Sequence, residues 1–480
     1  MNPERLEEIL VPADATVRHV AEAIDRGAVE IALAVDENRK LIGTITDGDV
    51  RRALLAGTAL DDPVADVIHR TPVTASAQLT SDALLLMMKD RGVMQIPLVE
   101  ADRVVGLAFM RDLIGSIPLS VPSFVGREAE YLQECIDTEW VAGRGPFVRR
   151  FEELFASFHE QDAAVSTSSG TAALHTAMAD LEIGPGDEVI GPSLTFVATV
   201  NPIRYLGATP VFADVDPLTF TLDPAGLESL ITPRTRAILP VHLFGQPADM
   251  DPILEIAGRH GVPVIEDTTE ALGARYKGRL CGTMGVSACF SFNGNKLITS
   301  GGGGMLLADS ASRLEHLRFL TLQARDTTEP EWTHTKIGFN YTLSNLHSAV
   351  GLAQLEGLAE RLARKREIAD RYREGLTGIG GLTPFRQPEW AAGSFWLNPI
   401  LVDEDVYGRS RDETIAMLDR VAIDSRPFFR PIHQLPPYLE FATGSYPVSD
   451  RLHASGILLP SSAGLTSDDQ ERVIAALRGE

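Results

Sequence analysis

Cations are scarce in this chain: 43 lysines and arginines face 66 aspartates and glutamates over 480 residues, a formal net charge of −23. That balance excludes a nucleic-acid partner, because neutralising a phosphate backbone needs a basic surface. A small anion remains admissible, since backbone amides and a few local cations hold a phosphate whatever the global charge. Cysteine is scarce as well. Cys135, Cys281 and Cys289 have neither metal-ligand spacing nor a disulfide framework, so no metal is expected, and a reduced, cytoplasmic setting is the simplest expectation. Long apolar runs are missing, so no membrane span is expected. The opening "MNPERLEEILVPADATV" also lacks the charged-then-apolar order of a signal peptide. What the chain does have is length and 44% hydrophobic residues, enough for roughly two to four domains.

Residues 1–116 read as two similar halves. "GAVEIALAVDENRKLIGTITDGDVRRAL" begins at Gly27 and "GVMQIPLVEADRVVGLAFMRDLIG" at Gly92. Each has an apolar strand, an acidic turn, a second strand and a helix starting near an Asp, and an amphipathic helix precedes each. "LIGTITDGDVRRAL", with "TPVTAS" between the halves, resembles a tandem CBS (Bateman) module. The resemblance implies an adenine nucleotide whose ribose meets Thr46 and Asp49. The second half has Phe109 where a hydroxyl is expected, although Asp112 remains, so one nucleotide site at most follows. The alternative is a module that only packs against a partner subunit.

The prolines and small residues of 117–126 predict a linker. From 127 the pattern changes. Short apolar strands such as "DEVIGPS", "TPVFADV", "RAILPVHLF" and "VPVIED" alternate with amphipathic helices, which predicts an α/β domain with a mostly parallel sheet over 127–358. A long helical pattern, "NLHSAVGLAQLEGLAERLARKREIADRYREGL", leads into a smaller C-terminal domain over 359–480.

In "FSFNGNKLITSGGGGMLLA" a lone Lys296 stands between two apolar runs, five residues before four glycines. A phosphate-binding P-loop is excluded: its glycines precede the lysine and a Ser or Thr follows it, whereas Leu297 follows here. Three other stretches are candidates for its company. The turn Ser169–Gly170–Thr171 opens a helix whose free amides suit a phosphate, or is an ordinary cap. Asp267 ends an apolar strand at the sheet edge where ligands bind, or caps the next helix. Phe196 follows a strand and a Pro-Ser turn, as a core residue or as a platform for a flat ligand. Singly, none decides a function.

Together they meet one chemical requirement. Pyridoxal 5'-phosphate needs an amine for a Schiff base, a carboxylate at its ring nitrogen, a phosphate cup and a stacking surface. The order and context of Lys296, Asp267, the Ser169–Gly170–Thr171 turn and Phe196 over residues 118–480 resemble the DegT/DnrJ/EryC1/StrS sugar-nucleotide aminotransferases, of fold-type I. The resemblance implies that Lys296 carries the cofactor, that Ser291 with Gly170 and Thr171 holds its phosphate, and that Asp267 partners the ring nitrogen. It places Glu270 near the cofactor hydroxyl and Phe196 on the ring. Asn340, in "GFNYTLSNLHSAVGLAQLE", would reach the neighbouring subunit's cofactor, which implies an obligate homodimer. Two departures stand out: Gly302 where the family usually has Glu, and Thr342 where it usually has Arg.

Retention of Lys296 favours transamination over the dehydration chemistry of relatives that carry histidine there. The expected donor is L-glutamate and the expected acceptor a nucleotide-linked ketosugar. "SFNGNK" with an all-glycine run, "TLQARD" and "SRPFFRPIHQLPPY" resemble the legionaminic acid and bacillosamine enzymes, which implies C4 of UDP-4-keto-6-deoxy-N-acetylglucosamine. The alternative is a GDP-perosamine synthase type, acting on GDP-4-keto-6-deoxymannose, which shares Asn-Gly-Asn-Lys and the glutamate. Arg325, Arg426 and His433 are candidates for the diphosphate or sugar, with surface salt bridges as the plainer explanation. A different class also stays open: a nucleotide-sensing regulatory protein with a vestigial catalytic half.

Overall fold

The computed structural model describes residues 3–479 except 28, 30, 94, 110–114 and 327–330. Asp112 therefore lies outside the described residues. The chain divides into two compact units, Met1–Gly115 and Ser116–Glu480.

In the first unit, β1 (Leu10–Pro12), β2 (Ile31–Val35) and β3 (Leu41–Thr46) form one sheet, and β4 (Gln95–Glu100) and β5 (Arg103–Phe109) form an antiparallel hairpin. The repeat read in the sequence is visible here. β2–β3 and β4–β5 are the matching hairpins, preceded by helices Val17–Gly27 and Ser81–Arg91. Val17, Val20, Ala23, Ile24 and Gly27 are buried, a spacing that lays one helical face on the sheet.

The second unit is built on a larger sheet. Its strands are β6 (Val165–Thr167), β7 (Glu188–Pro192), β8 (Thr209–Ala213), β9 (Thr235–Ile238), β10 (Ile265–Asp267), β11 (Ser287–Ser291) and β12 (Gly304–Ala308). β8, β7 and β9 pair in parallel, and β10 pairs in parallel with β11. Parallel bridges Ile238–Val264 and Val241–Asp267 join the two groups. β12 alone among these seven runs antiparallel, between β11 and β6. Alternation along β11 sends Phe290 into an aromatic layer with Phe151, Phe155 and Phe292, and Cys289 into an aliphatic layer with Val189, Ile265 and Leu306. Burial on both faces explains why these strands read as continuous apolar runs.

Beyond it, β13 (Leu382–Pro384), β14 (Asn398–Val402), β15 (Arg426–Pro427) and β16 (Gly456–Leu459) form an antiparallel sheet in the order β13-β14-β16-β15. Helices Leu358–Leu376 and Ser467–Arg478 close its core.

Two sequence expectations change. The long helix is two, Asn345–Glu356 and Leu358–Leu376, broken at Gly357, where glycine gives up about 1 kcal/mol of helix propensity relative to alanine. The predicted linker is fastened rather than free. Ile117 is buried and exchanges backbone hydrogen bonds with Ala422 and Asp424 (2.8 and 2.9 Å). The Leu119 carbonyl accepts from the Ser461 amide at 2.6 Å, and the Val121 amide donates to Ser462 Oγ at 3.0 Å. The alternation of Ile117 and Leu119 was a strand signal that the neighbouring prolines obscured.

The aromatic layer makes a pH prediction. His159 is 1% exposed, and its Nε2 has no hydrogen-bond partner among the described residues. Burial pushes the imidazole from 6.5 down to about 4. Between those values the unfolded chain binds a proton that the folded chain refuses. Stability present above pH 6.5 is therefore lost as pH falls through 4, by on the order of 3 kcal/mol. Urea midpoints should fall less steeply over this window in His159→Phe than in the wild-type chain.

Candidate active site

Lys296 lies in a turn five residues beyond β11, its amide bonded to the Asn293 carbonyl at 3.0 Å. It stands in this turn and not on the strand itself. The turn is closed by the Ser300 amide on the Phe292 carbonyl (3.0 Å) and the Phe292 amide on the Gly303 carbonyl (2.9 Å). Gly301 and Gly303 take φ of 80° and 131°, which L side chains rarely adopt. Gly302 has no such requirement; its carbonyl is instead held by the Ser300 hydroxyl. That bond fixes the loop in the absence of a glutamate at this position.

The Lys296 side chain is 12% exposed, and its Nζ lies 3.5 Å from Glu270 Oε1. Glu270 is buried, and its other oxygen accepts the Phe244 amide at 2.8 Å. Phe244 needs that anchor, because it is a buried aromatic residue at φ 56°. Burial pushes the Glu270 carboxyl up, with the Lys296 charge and the Phe244 N–H opposing it. A group so balanced can give or accept a proton beside an amine.

Asp267 ends β10 and is 1% exposed. Oδ2 accepts the Thr199 hydroxyl at 2.8 Å and Oδ1 accepts the Thr269 amide at 3.1 Å. Thr199 is in turn bonded to Thr195, at 3.0 Å. The neighbouring Glu266 anchors the strand from its other side, accepting amides of Gly282, Met284 and Gly285. A carboxylate with one donor on each oxygen still has acceptor capacity for a cationic N–H.

Ser169 caps the helix Gly170–Asp180, its hydroxyl accepting the Ala172 amide at 3.0 Å. Helix geometry leaves the first N–H groups, at Gly170 and Thr171, without intrahelical acceptors. A Cβ at Gly170 would fall 2.8 Å from Ser291 Cβ and 3.1 Å from Thr269 Cγ2. Glycine therefore lets this helix end approach Ser291 and the segment after Asp267. Phe196 is 49% exposed, its ring 5.4 Å from that of Phe429. It is half exposed, not the core residue that its type alone would suggest.

These residues fit pyridoxal phosphate: an amine, a buried carboxylate, a glycine-lined helix end beside a serine, and an open aromatic face. Gly170→Ala should raise the Kd for the cofactor by roughly tenfold through overpacking, measured by absorbance titration of the cofactor-free protein.

Other expected residues lie elsewhere. Asn340 is exposed, bridged to Leu322. Arg325 stacks on Trp332 at 3.9 Å. Arg426 pairs with Asp424 at 3.2 Å and is 65% exposed, the plain surface salt bridge. His433 is taken up by Ser193 Oγ and, at 3.0 Å, by Asp450. None of the three substrate candidates is within ion-pair or hydrogen-bond distance of Lys296, Glu270 or Asp267. In the first unit, Thr46 and Asp49 cap the helix Asp47–Leu55 reciprocally, and Asp49 also pairs with Arg52. Both line a cleft of about 680 Å³ that His69 and Gln95 also border. Sequence reasoning missed Thr199, Phe244, Phe429 and Trp396. Trp396 places its ring 3.9 Å from Lys296 Nζ.

The family model described as the DegT/DnrJ/EryC1/StrS aminotransferase family matches residues 122–478, and the CBS domain matches 5–56 and 64–118. A GDP-perosamine synthase of Caulobacter vibrioides is 44% identical over 364 residues, 75% of this chain and 97% of the relative. One from Escherichia coli O157:H7 is 38% identical over 352 residues, 73% of this chain and 95% of the relative. The crystal structure of the aminotransferase TlmJ from Streptoalloteichus hindustanus superposes with a TM-score of 0.72 at 32% identity, covering 76% of this chain and 98% of that one.

Proposed function

We propose, for a chain that belongs to the DegT/DnrJ/EryC1/StrS family and is therefore a pyridoxal-phosphate-dependent sugar-nucleotide aminotransferase, that the acceptor is GDP-4-keto-6-deoxymannose. The amino group goes to C4, with L-glutamate as donor. The relatives at 44% and 38% identity, both GDP-perosamine synthases, support this acceptor over the UDP-linked N-acetyl sugar expected from short shared segments. Identity spread over some 75% of the chain outweighs a few matching segments. The paired Lys296 and Glu270 at 3.5 Å argue against a vestigial catalytic half.

Bound pyridoxal phosphate supplies an aldehyde for amines and a ring that withdraws electrons from a developing carbanion. The chain supplies the rest. Gly170 and Thr171 amides with Ser291 would hold the phosphate at the positive helix end. Asp267, oriented by Thr199 and Thr269, would hold the proton on the ring nitrogen. Phe196 would cover one face of the ring, and Glu270 would meet the cofactor hydroxyl. Lys296 Nζ would move the proton at the donor carbon and at sugar C4, with Glu270 beside it as proton partner. Asn340 would complete the site of a second subunit.

The test is a visible spectrum of the loaded protein. L-glutamate should bleach the band, and GDP-4-keto-6-deoxymannose should restore it and yield a 4-amino sugar by mass spectrometry. Restoration only by the UDP-linked N-acetyl sugar would overturn the GDP reading. For the first unit, the cleft around Thr46 and Asp49 is assigned to an adenine nucleotide, with the ribose as a further ligand for the already capped Asp49. Calorimetric titration with AMP, ADP and ATP that gives no heat would remove that assignment.

A further inference from the structure

Two buried side chains behind Lys296 have no part in the roles above. Lys365, on the helix Leu358–Leu376, is 2% exposed, and no carboxylate among the described residues lies within ion-pair distance of it. Its amino group donates to two backbone carbonyls, Trp396 at 2.8 Å and Ser461. Trp396 is 3% exposed. Its indole Nε1 donates to the Asn295 carbonyl at 2.7 Å, one residue before Lys296, while its ring face lies 3.9 Å from Lys296 Nζ. The Ser120 hydroxyl donates to the same Asn295 carbonyl at 3.0 Å.

We propose that Trp396 is a positioning residue for Lys296, holding the free amine over its indole face and the preceding carbonyl by its N–H, and that Lys365 fixes Trp396 from behind. The proposal rests on the reading of Lys296 as the reacting amine. A lysine on a glycine-flanked turn has many rotamers to lose before it can act. An aromatic face beside a side chain only 12% exposed selects those that keep the amine over it. Burial lowers the Lys365 amino group to about 7, yet the grip does not depend on its charge. Two carbonyls need two donors, and the neutral amine has two N–H bonds.

The test uses Trp396→Leu, Trp396→Phe and Lys365→Met with two readouts. On the cofactor-free protein, reductive methylation of Lys296 by formaldehyde and borohydride is followed by mass spectrometry. Trp396→Leu should label roughly fivefold faster or more, Trp396→Phe should restore most of the protection, and Lys365→Met should shift in the same direction as Trp396→Leu by less. In turnover, Trp396→Leu should lower kcat roughly tenfold with KM for the sugar within about twofold, the split expected of a positioning defect. Wild-type labelling and kcat in Trp396→Leu would overturn the proposal, and a phenylalanine variant as impaired as the leucine one would overturn the part given to the indole face. A folded Lys365→Met protein with wild-type labelling would overturn the part given to Lys365. Labelling is read without cofactor or sugar, so a wrong sugar assignment leaves this result intact.

Discussion

Lys296→Ala should lose at least about 10⁴-fold in turnover while the protein stays folded, because one change would remove both the amine proposed to join the cofactor and the group proposed to move protons beside it. The fold is spared because Lys296 sits on a turn closed by backbone bonds that its side chain does not make. The variant should therefore keep its thermal midpoint within about 3 °C, and borohydride should no longer fix the cofactor to the chain. One electrostatic consequence follows at Glu270. The Lys296 charge opposes the burial that raises the Glu270 carboxyl, so its removal drives that carboxyl further toward the neutral acid. Single-turnover rates with glutamate check the loss. A wild-type rate would show that the amine is a bystander.

Asp267→Asn is the second large effect, on the order of 10²–10³-fold in turnover. The two oxygens of Asp267 accept from opposite sides, Thr199 on Oδ2 and Thr269 on Oδ1. An amide can accept at only one of them, so its NH₂ must face a donor or turn toward the ligand ring, where it cannot offset a positive charge. Thr199→Val should cost far less, about tenfold, since it removes one neutral-to-charged hydrogen bond and leaves the carboxylate. The cofactor's visible spectrum measured across pH, alongside kcat, separates the two. Unchanged turnover in Asp267→Asn would leave that carboxylate as no more than a structural acceptor for Thr199 and Thr269.

Legibility followed locality. The edge position of Asp267 was readable because an apolar strand ends there, and the helix opening at Gly170 because Ser-Gly-Thr is a local cap pattern. Lys296 was conspicuous as a lone cation between strands. The resemblance supplied roles that no periodicity contains. Trp396 was illegible because its bond to Asn295 spans 101 residues and nothing adjacent to either residue marks it. The strand pairing of Ile117 was lost to its proline neighbours, and the break at Gly357 to an otherwise unbroken helical pattern. Arg426 and His433 carried two readings, a ligand or a surface salt bridge, and the sequence could not show that Asp424 and Asp450 engage them. The proposed GDP acceptor rests on relatives similar over about 75% of the chain, which short segments could not outweigh.

The fastening of residues 117–121 also bears on the order in which the protein can be made. Val121 waits for Ser462, 341 residues later, an interval on the order of tens of seconds at a translating ribosome. Until then the first unit has emerged with its following strand unpaired, and the Asn295 carbonyl lacks the tryptophan that comes 101 residues behind it. The lysine turn is thus completed only as the C-terminal strands are released. A truncated or stalled chain would contain every residue proposed to meet the cofactor, yet would lack the tryptophan proposed to hold the amine in place.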